Sequence, residues 1–158
     1  MKTYLDRAAS RLEDLERQNP QTPATSELLT ALSAAVETYT QTPDLTRTFV
    51  QLLPEWVRIS ESDFGFLAEV AYQGETPYLQ SHAVVDIYKP NYTRYDIVSN
   101  LNFHNLDTLN GAIMTSKAPV ISNDPANDPR AGGVPAGHQK LQAFLGMPFM
   151  LEGELLGA

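Results

Sequence analysis

Apolar positions at Leu5, Ala8, Leu12 and Leu15, spaced 3-4-3, predict a helix carrying a narrow heptad seam. Asp6, Arg7, Glu13, Asp14, Glu16 and Arg17 lie between them, so the segment reads as a solvated helix or as one half of a dimeric coiled coil. Asn19-Pro20 and Pro23 end it. A second helix opens at Ser26, with Leu28, Leu29, Leu32, Ala35, Val36 and Tyr39 at helical spacing. Pro43 opens a third, carrying Leu45, Phe49, Leu52, Leu53, Trp56 and Val57, with a kink or break expected at Pro54.

The period then falls from 3.6 to 2. Phe64, Phe66, Ala68 and Val70 alternate with Gly65, Leu67 and Glu69, which predicts a strand. After the turn "QGETP", Leu79, Ala83 and Val85 alternate with Tyr78, Gln80, His82 and Val84. The two runs predict an antiparallel hairpin with a slightly long turn, and His82 on the face opposite the apolar residues. Residues 86–104 read as irregular. Leu106, Leu109, Ile113 and Met114 share one side of a helix that Asn105 can cap. Gly111 inside it costs about 1 kcal/mol relative to Ala, which a close approach by another backbone would explain. "APVIS" predicts a short strand, "HQKLQAFLG" a short helix, "MPFMLEG" a strand and "ELLGA" the start of another. Helices and strands do not alternate one for one. The pattern therefore predicts an α+β fold, a central antiparallel sheet with helices on its faces, rather than a doubly wound parallel sheet.

Composition narrows the function classes. A chain of 158 residues is one domain by length. Its formal net charge of -8 argues against nucleic acid, whose affinity comes mostly from Lys and Arg neutralising phosphates. There is no cysteine, hence no disulfide, thiolate metal site or cysteine nucleophile. No apolar run approaches the ~20 residues that span a bilayer. The charged N-terminus lacks the apolar stretch of a signal peptide, so a cytoplasmic setting is expected.

Candidate chemistry concentrates around "NDPANDPRAGG", residues 123–133. Asp124 and Asp128 each precede a proline, which biases them to extended backbone and turn initiation. Their spacing does not match an oxygen-ligand calcium loop. The segment reads first as a turn and connection, with a lid over a ligand as the alternative. Arg130 could grip a carboxylate or phosphate, or pair with Asp124 or Asp128. His82, His104 and His138 have no metal-ligand spacing, and Ser81, His138 and Asp124 lack any nucleophile-elbow pattern. His138 follows Gly137 at a predicted helix start, where capping competes with ligand contact.

Residues 105–158 resemble the C-terminal half of a GAF domain, of the kind found in bacterial sensor histidine kinases and diguanylate cyclases. The resemblance rests on "SKAPVISND", the "DPR" and Gly-rich loop, "GH", "FLGMPF" and "GELLGA". "FGFLAEV" and "YLQSHAVV" match the first two strands of the family. The resemblance implies a GAF-like domain over 43–158, preceded by an N-terminal helical segment over 1–42. It implies a central antiparallel sheet, helices on one face, and a loop-and-helix layer that can close over a small molecule on the other. It also implies a cytoplasmic sensory module whose entering helix pairs with its copy in a homodimer.

Covalent bilin attachment and methionine sulfoxide reduction in this family need cysteines, which are missing here. The Asn-Lys…Phe…Asp-Glu signature of cyclic-nucleotide binders is not found. "GELLGA" reads as a final strand cut short, leaving a sheet edge to be completed.

A ligand site is expected between the sheet and the layer formed by 105–114 and 123–145. Phe64, Phe66, Leu109 and Ile113 would supply apolar walls, and His82, Arg130 and His138 polar contacts. No catalytic residue and no metal ligand is expected. A non-catalytic sensor is the first reading, and a ligand-free dimerisation spacer the second.

Overall fold

The computed structural model describes residues 23–158. The heptad segment at Leu5–Leu15, and with it the expected helix pairing, lies outside the described residues. The chain divides after Ser62 into two units.

The first unit holds two helices, α1 (Pro23–Gln41) and α2 (Leu45–Ile59). Helix α1 starts at Pro23, three residues before the Ser26 expected. A proline at the first helical position has no N–H to waste and a preset φ. Asp44, not Pro43, caps α2: its carboxylate accepts the Arg47 N–H at 3.0 Å. The break expected at Pro54 does not occur, and α2 runs unbroken through it. Leu52, Leu53, Pro54 and Val57 form a buried stripe whose packing offsets the one backbone bond that proline removes. Arg58 pairs with Glu27 at 2.7 Å and the Thr38 hydroxyl donates to Gln51 at 2.8 Å, so the helices run antiparallel.

The second unit is built on a six-stranded, wholly antiparallel sheet. Its strands are β1 (Phe66–Gln73), β2 (Thr76–Val85), β3 (Ile97–Val98), β4 (Asn102–Phe103), β7 (Phe149–Leu151) and β8 (Glu154–Gly157). The order is β3-β2-β1-β8-β7, with β4 also on β2. A separate pair joins β5 (Val120–Ser122) to β6 (Phe144–Gly146). Helix α3 (Leu109–Ser116) covers the sheet. The α+β fold with a central antiparallel sheet is as the sequence predicts.

Local departures have local causes. Strand β1 begins at Phe66, leaving Phe64 outside it. A bulge between Leu67 and Ala68 breaks the alternation, and both residues are buried. The hairpin turn is only Gly74-Glu75, because Thr76 and Pro77 belong to β2 opposite Gln73 and Tyr72. Gly74 takes the positive φ that such a turn needs. Pro77 falls one pair beyond the turn-closing pair, where an antiparallel ladder needs no N–H from it.

The stretch 86–104 is not wholly irregular, since β3 and β4 pair with β2 at Val84–Val85 and Leu79–Gln80. The cap of α3 is Thr108, whose hydroxyl accepts the Gly111 N–H at 3.1 Å; Asn105 instead accepts from the Asp107 N–H. No helix forms at 138–145, where Phe144 and Leu145 enter β6 and the preceding residues are non-helical. Cross-strand pairing with Val120–Ser122 outweighs a helical pattern too short to hold itself.

The core lies between sheet and helix. Ala68, Leu79 and Ala158 from below meet Leu109, Ile113 and Met114 from α3 and Val120 from β5. Strand β8 closes the sheet against β1: the Ala68 and Ala158 backbones exchange hydrogen bonds at 2.8 and 2.9 Å, next to the Glu69–Gly157 pair.

Candidate functional site

Between the sheet and α3 the second unit holds a cleft of about 510 Å³. Val70 and Tyr72 of β1, Pro77 of β2, and Glu154 and Leu155 of β8 line one side. Leu106, Met114, Thr115 and Lys117, from the segment containing α3, line the other. Val70, Leu106, Met114 and Leu155 also belong to or pack against the core, so the cleft floor is apolar.

Lys117 ends α3 in the left-handed conformation, with φ 51° and its N–H on the Ile113 carbonyl at 2.9 Å. Glycine is usual there, and a lysine costs about 1 kcal/mol more. Its ammonium and the Glu154 carboxylate have no ion-pair partner among the described residues. A smaller cleft of about 220 Å³ lies beside the start of α3, bounded by Asp107, Thr108, Pro129 and Arg130 among others.

The seven sequence-derived site residues fall into four places. Leu109 and Ile113 are buried in the core, and Phe66 packs against it and against Phe103, ring centroids 4.9 Å apart. His138 sits between Phe64 and Tyr88, with ring centroids at 5.6 and 6.3 Å. It starts no helix: its N–H bonds the Pro135 carbonyl in a turn. His82 lies 3.0 Å from Glu69 Oε1. It occupies the face of β2 opposite buried Leu79, Ser81, Ala83 and Val85, hence the face away from α3. Arg130 borders the smaller cleft, and none of the seven lines the larger one. Strand alternation separates His82 from the α3 side, and the core claims Leu109 and Ile113. Lys117 lies in "SKAPVISND" and Glu154 and Leu155 in "GELLGA", stretches that carry the resemblance, but nothing in their spacing marks them as lining a cleft.

The loop 123–133 is tied to itself. The Arg130 guanidinium forks onto Asp128, Nε to Oδ1 at 2.9 Å and Nη2 to Oδ2 at 2.7 Å. Nη2 also donates to the Ile121 carbonyl on β5 at 2.9 Å. Asn127 Nδ2 donates to Asp124 at 2.7 Å. The turn-and-connection reading fits this geometry, and Asp128 rather than Asp124 is the partner of Arg130. The paired guanidinium and the Arg130 N–H hold the Asp128 carboxyl well below the usual carboxylate range.

A carboxyl depressed in the fold stabilises it above the unfolded pKa, near 4, and loses that contribution as pH falls toward the folded value. Arg130→Met should therefore lower the urea midpoint at pH 7, and its deficit should shrink by pH 2.5. An equal deficit at both pH values would show that the pair adds nothing through charge.

Among the described residues no three His, Asp or Glu side chains gather into a metal site, and no helix is long and apolar enough to cross a membrane. Ser81 is buried and its hydroxyl accepts the Leu101 N–H at 3.0 Å, a structural role. No curated protein and no solved structure matches the chain. A model of the GAF domain family matches residues 42–158, which include α2 and the whole of the second unit. By its sheet, its covering helix and this match over most of its length, the chain belongs to the GAF domain family.

Proposed function

We propose that the chain is the sensory part of a bacterial signalling protein of the histidine kinase or diguanylate cyclase type. GAF domains commonly serve as small-ligand sensory and regulatory modules, and the cysteine-dependent chemistry of some members has no cysteine to use here. The observation that carries the reading is the cleft of about 510 Å³ between sheet and α3. Its size lies within the range of small-molecule sites, and its floor is apolar with few polar groups. A ligand that binds one arrangement of β8 and α3 better than another shifts the population toward it. The N-terminal helices, paired with those of a second copy, would carry that shift to an output domain.

A ligand-free spacer is the second reading. The close packing of Leu79, Ile113 and Met114 in the core beside the cleft favours it. Native mass spectrometry of protein purified from its own host separates the two. A retained small molecule supports the sensor. A bare mass, with an unchanged melting point across a metabolite panel, overturns it and leaves the spacer. Light scattering with and without residues 1–19 tests the pairing: a dimer that survives the deletion overturns helix-mediated association.

A further inference from the structure

The cleft beneath α3 is amphipathic in a particular way. Its floor is aliphatic, from Val70, Leu106, Met114 and Leu155. At its margins stand one cation, Lys117, and one carboxylate, Glu154. The Thr115 hydroxyl lines it too. Its proton goes to the Gly111 carbonyl at 3.2 Å, so its lone pairs remain as acceptors. Thr115 and Lys117 lie at the C-terminal end of α3, where the helix dipole leaves partial negative charge. The margin thus offers several acceptors and a single ammonium.

From this we infer, resting on the reading of the cleft as the ligand site, that the ligand is an apolar zwitterion of amino-acid to dipeptide size. Its carboxylate meets the Lys117 ammonium. Its own ammonium meets Glu154 and the Thr115 oxygen, and its side chains lie on the aliphatic floor. A plain carboxylate would satisfy Lys117 but stand beside Glu154 without compensation. A plain amine would reverse the fault. An uncharged apolar ligand would leave both charges partly desolvated and unmatched. A zwitterion answers both at once, and a dipeptide-sized body fits within a cleft of about 510 Å³.

The test uses the whole chain with ¹³C-methyl methionine, the Met114 signal being assigned by Met114→Leu. Four probes are titrated: leucyl-leucine, its N-acetyl form, its C-terminal amide, and the doubly capped form. The expected result is that leucyl-leucine shifts the Met114 methyl and each singly capped form binds at least tenfold more weakly. Lys117→Met should erase discrimination against the amide. Glu154→Gln should erase discrimination against the N-acetyl form. Both sites are exposed, so neither variant threatens the fold. If all four probes shift Met114 with equal affinity, the cleft binds ligands but the zwitterion inference is overturned. If none shifts Met114, the cleft does not take this class and the zwitterion inference is overturned, while the site reading stands or falls on the mass of the host-purified protein.

Discussion

Replacing Gly111 with alanine should destabilise the protein by about 3 kcal/mol, although alanine is the better helix former by about 1 kcal/mol. A Cβ at this position would stand 2.1 Å from the Leu106 carbonyl oxygen and 2.3 Å from its Cα. Both are backbone atoms, so no rotamer change relieves the overlap. Either the segment ahead of α3 moves or the helix lifts off the sheet. Moving the segment disturbs the Thr108 cap and the Asn105 turn, both made within this stretch. Lifting the helix exposes Leu109 and Ile113.

For a chain of this length the loss corresponds to a fall of about 10 °C in Tm. Gly74→Ala is the control. It meets nothing within 4 Å and suffers only its positive φ, so about 1 kcal/mol is expected. Urea melts of the two variants decide the matter. A Gly111→Ala protein as stable as the parent would mean that Leu106 does not lie against the helix.

Ile113→Ala should cost about 4 kcal/mol. Ile113 is 1% exposed and sits with Ala68, Leu79 and Val120 at the centre of the core. Its Cδ1 also fills the place where a Cβ on Gly146 would stand, 2.3 Å away, so it braces β6 as well as the sheet. Truncation removes three carbons from a site walled by two strand systems and a helix, which limits collapse into the space. Ile121 lies one strand away but 60% exposed, and Ile121→Ala should change stability by less than about 0.5 kcal/mol. Equal effects from the two substitutions would place the core elsewhere.

Much of this is legible in the sequence. The period-2 runs around Ala68 and Leu79, the apolar side of 105–114 and the wish for a close backbone at Gly111 all follow from spacing and steric rules. Arg130 and Asp128, two residues apart in a turn, are close enough in sequence for their pairing to be expected as an alternative to ligand contact. The rest is hidden from the sequence for physical reasons. Strands β3 and β4 hold two residues each, too few for any period to register. Leu141, Phe144 and Leu145 mimic a helix face, but Phe144 faces the core from a strand. The cleft is lined by residues as far apart in the chain as Val70 and Leu155, brought together only by topology. No local pattern marks such a place, and the seven residues proposed from the sequence therefore miss the larger cleft.

The join between β8 and β1 is narrow, resting on the Glu69–Gly157 pair and the two bonds between Ala68 and Ala158. So short a seam peels open at lower free energy than the long β1–β2 hairpin. Leu155, just before it, forms part of the cleft wall, opposite Met114. Anything lodged there bridges the zipper's last teeth to the helix above. Occupancy would then appear as slowed amide exchange at the closing strand, far along the chain from the hairpin that supplies the rest of the wall.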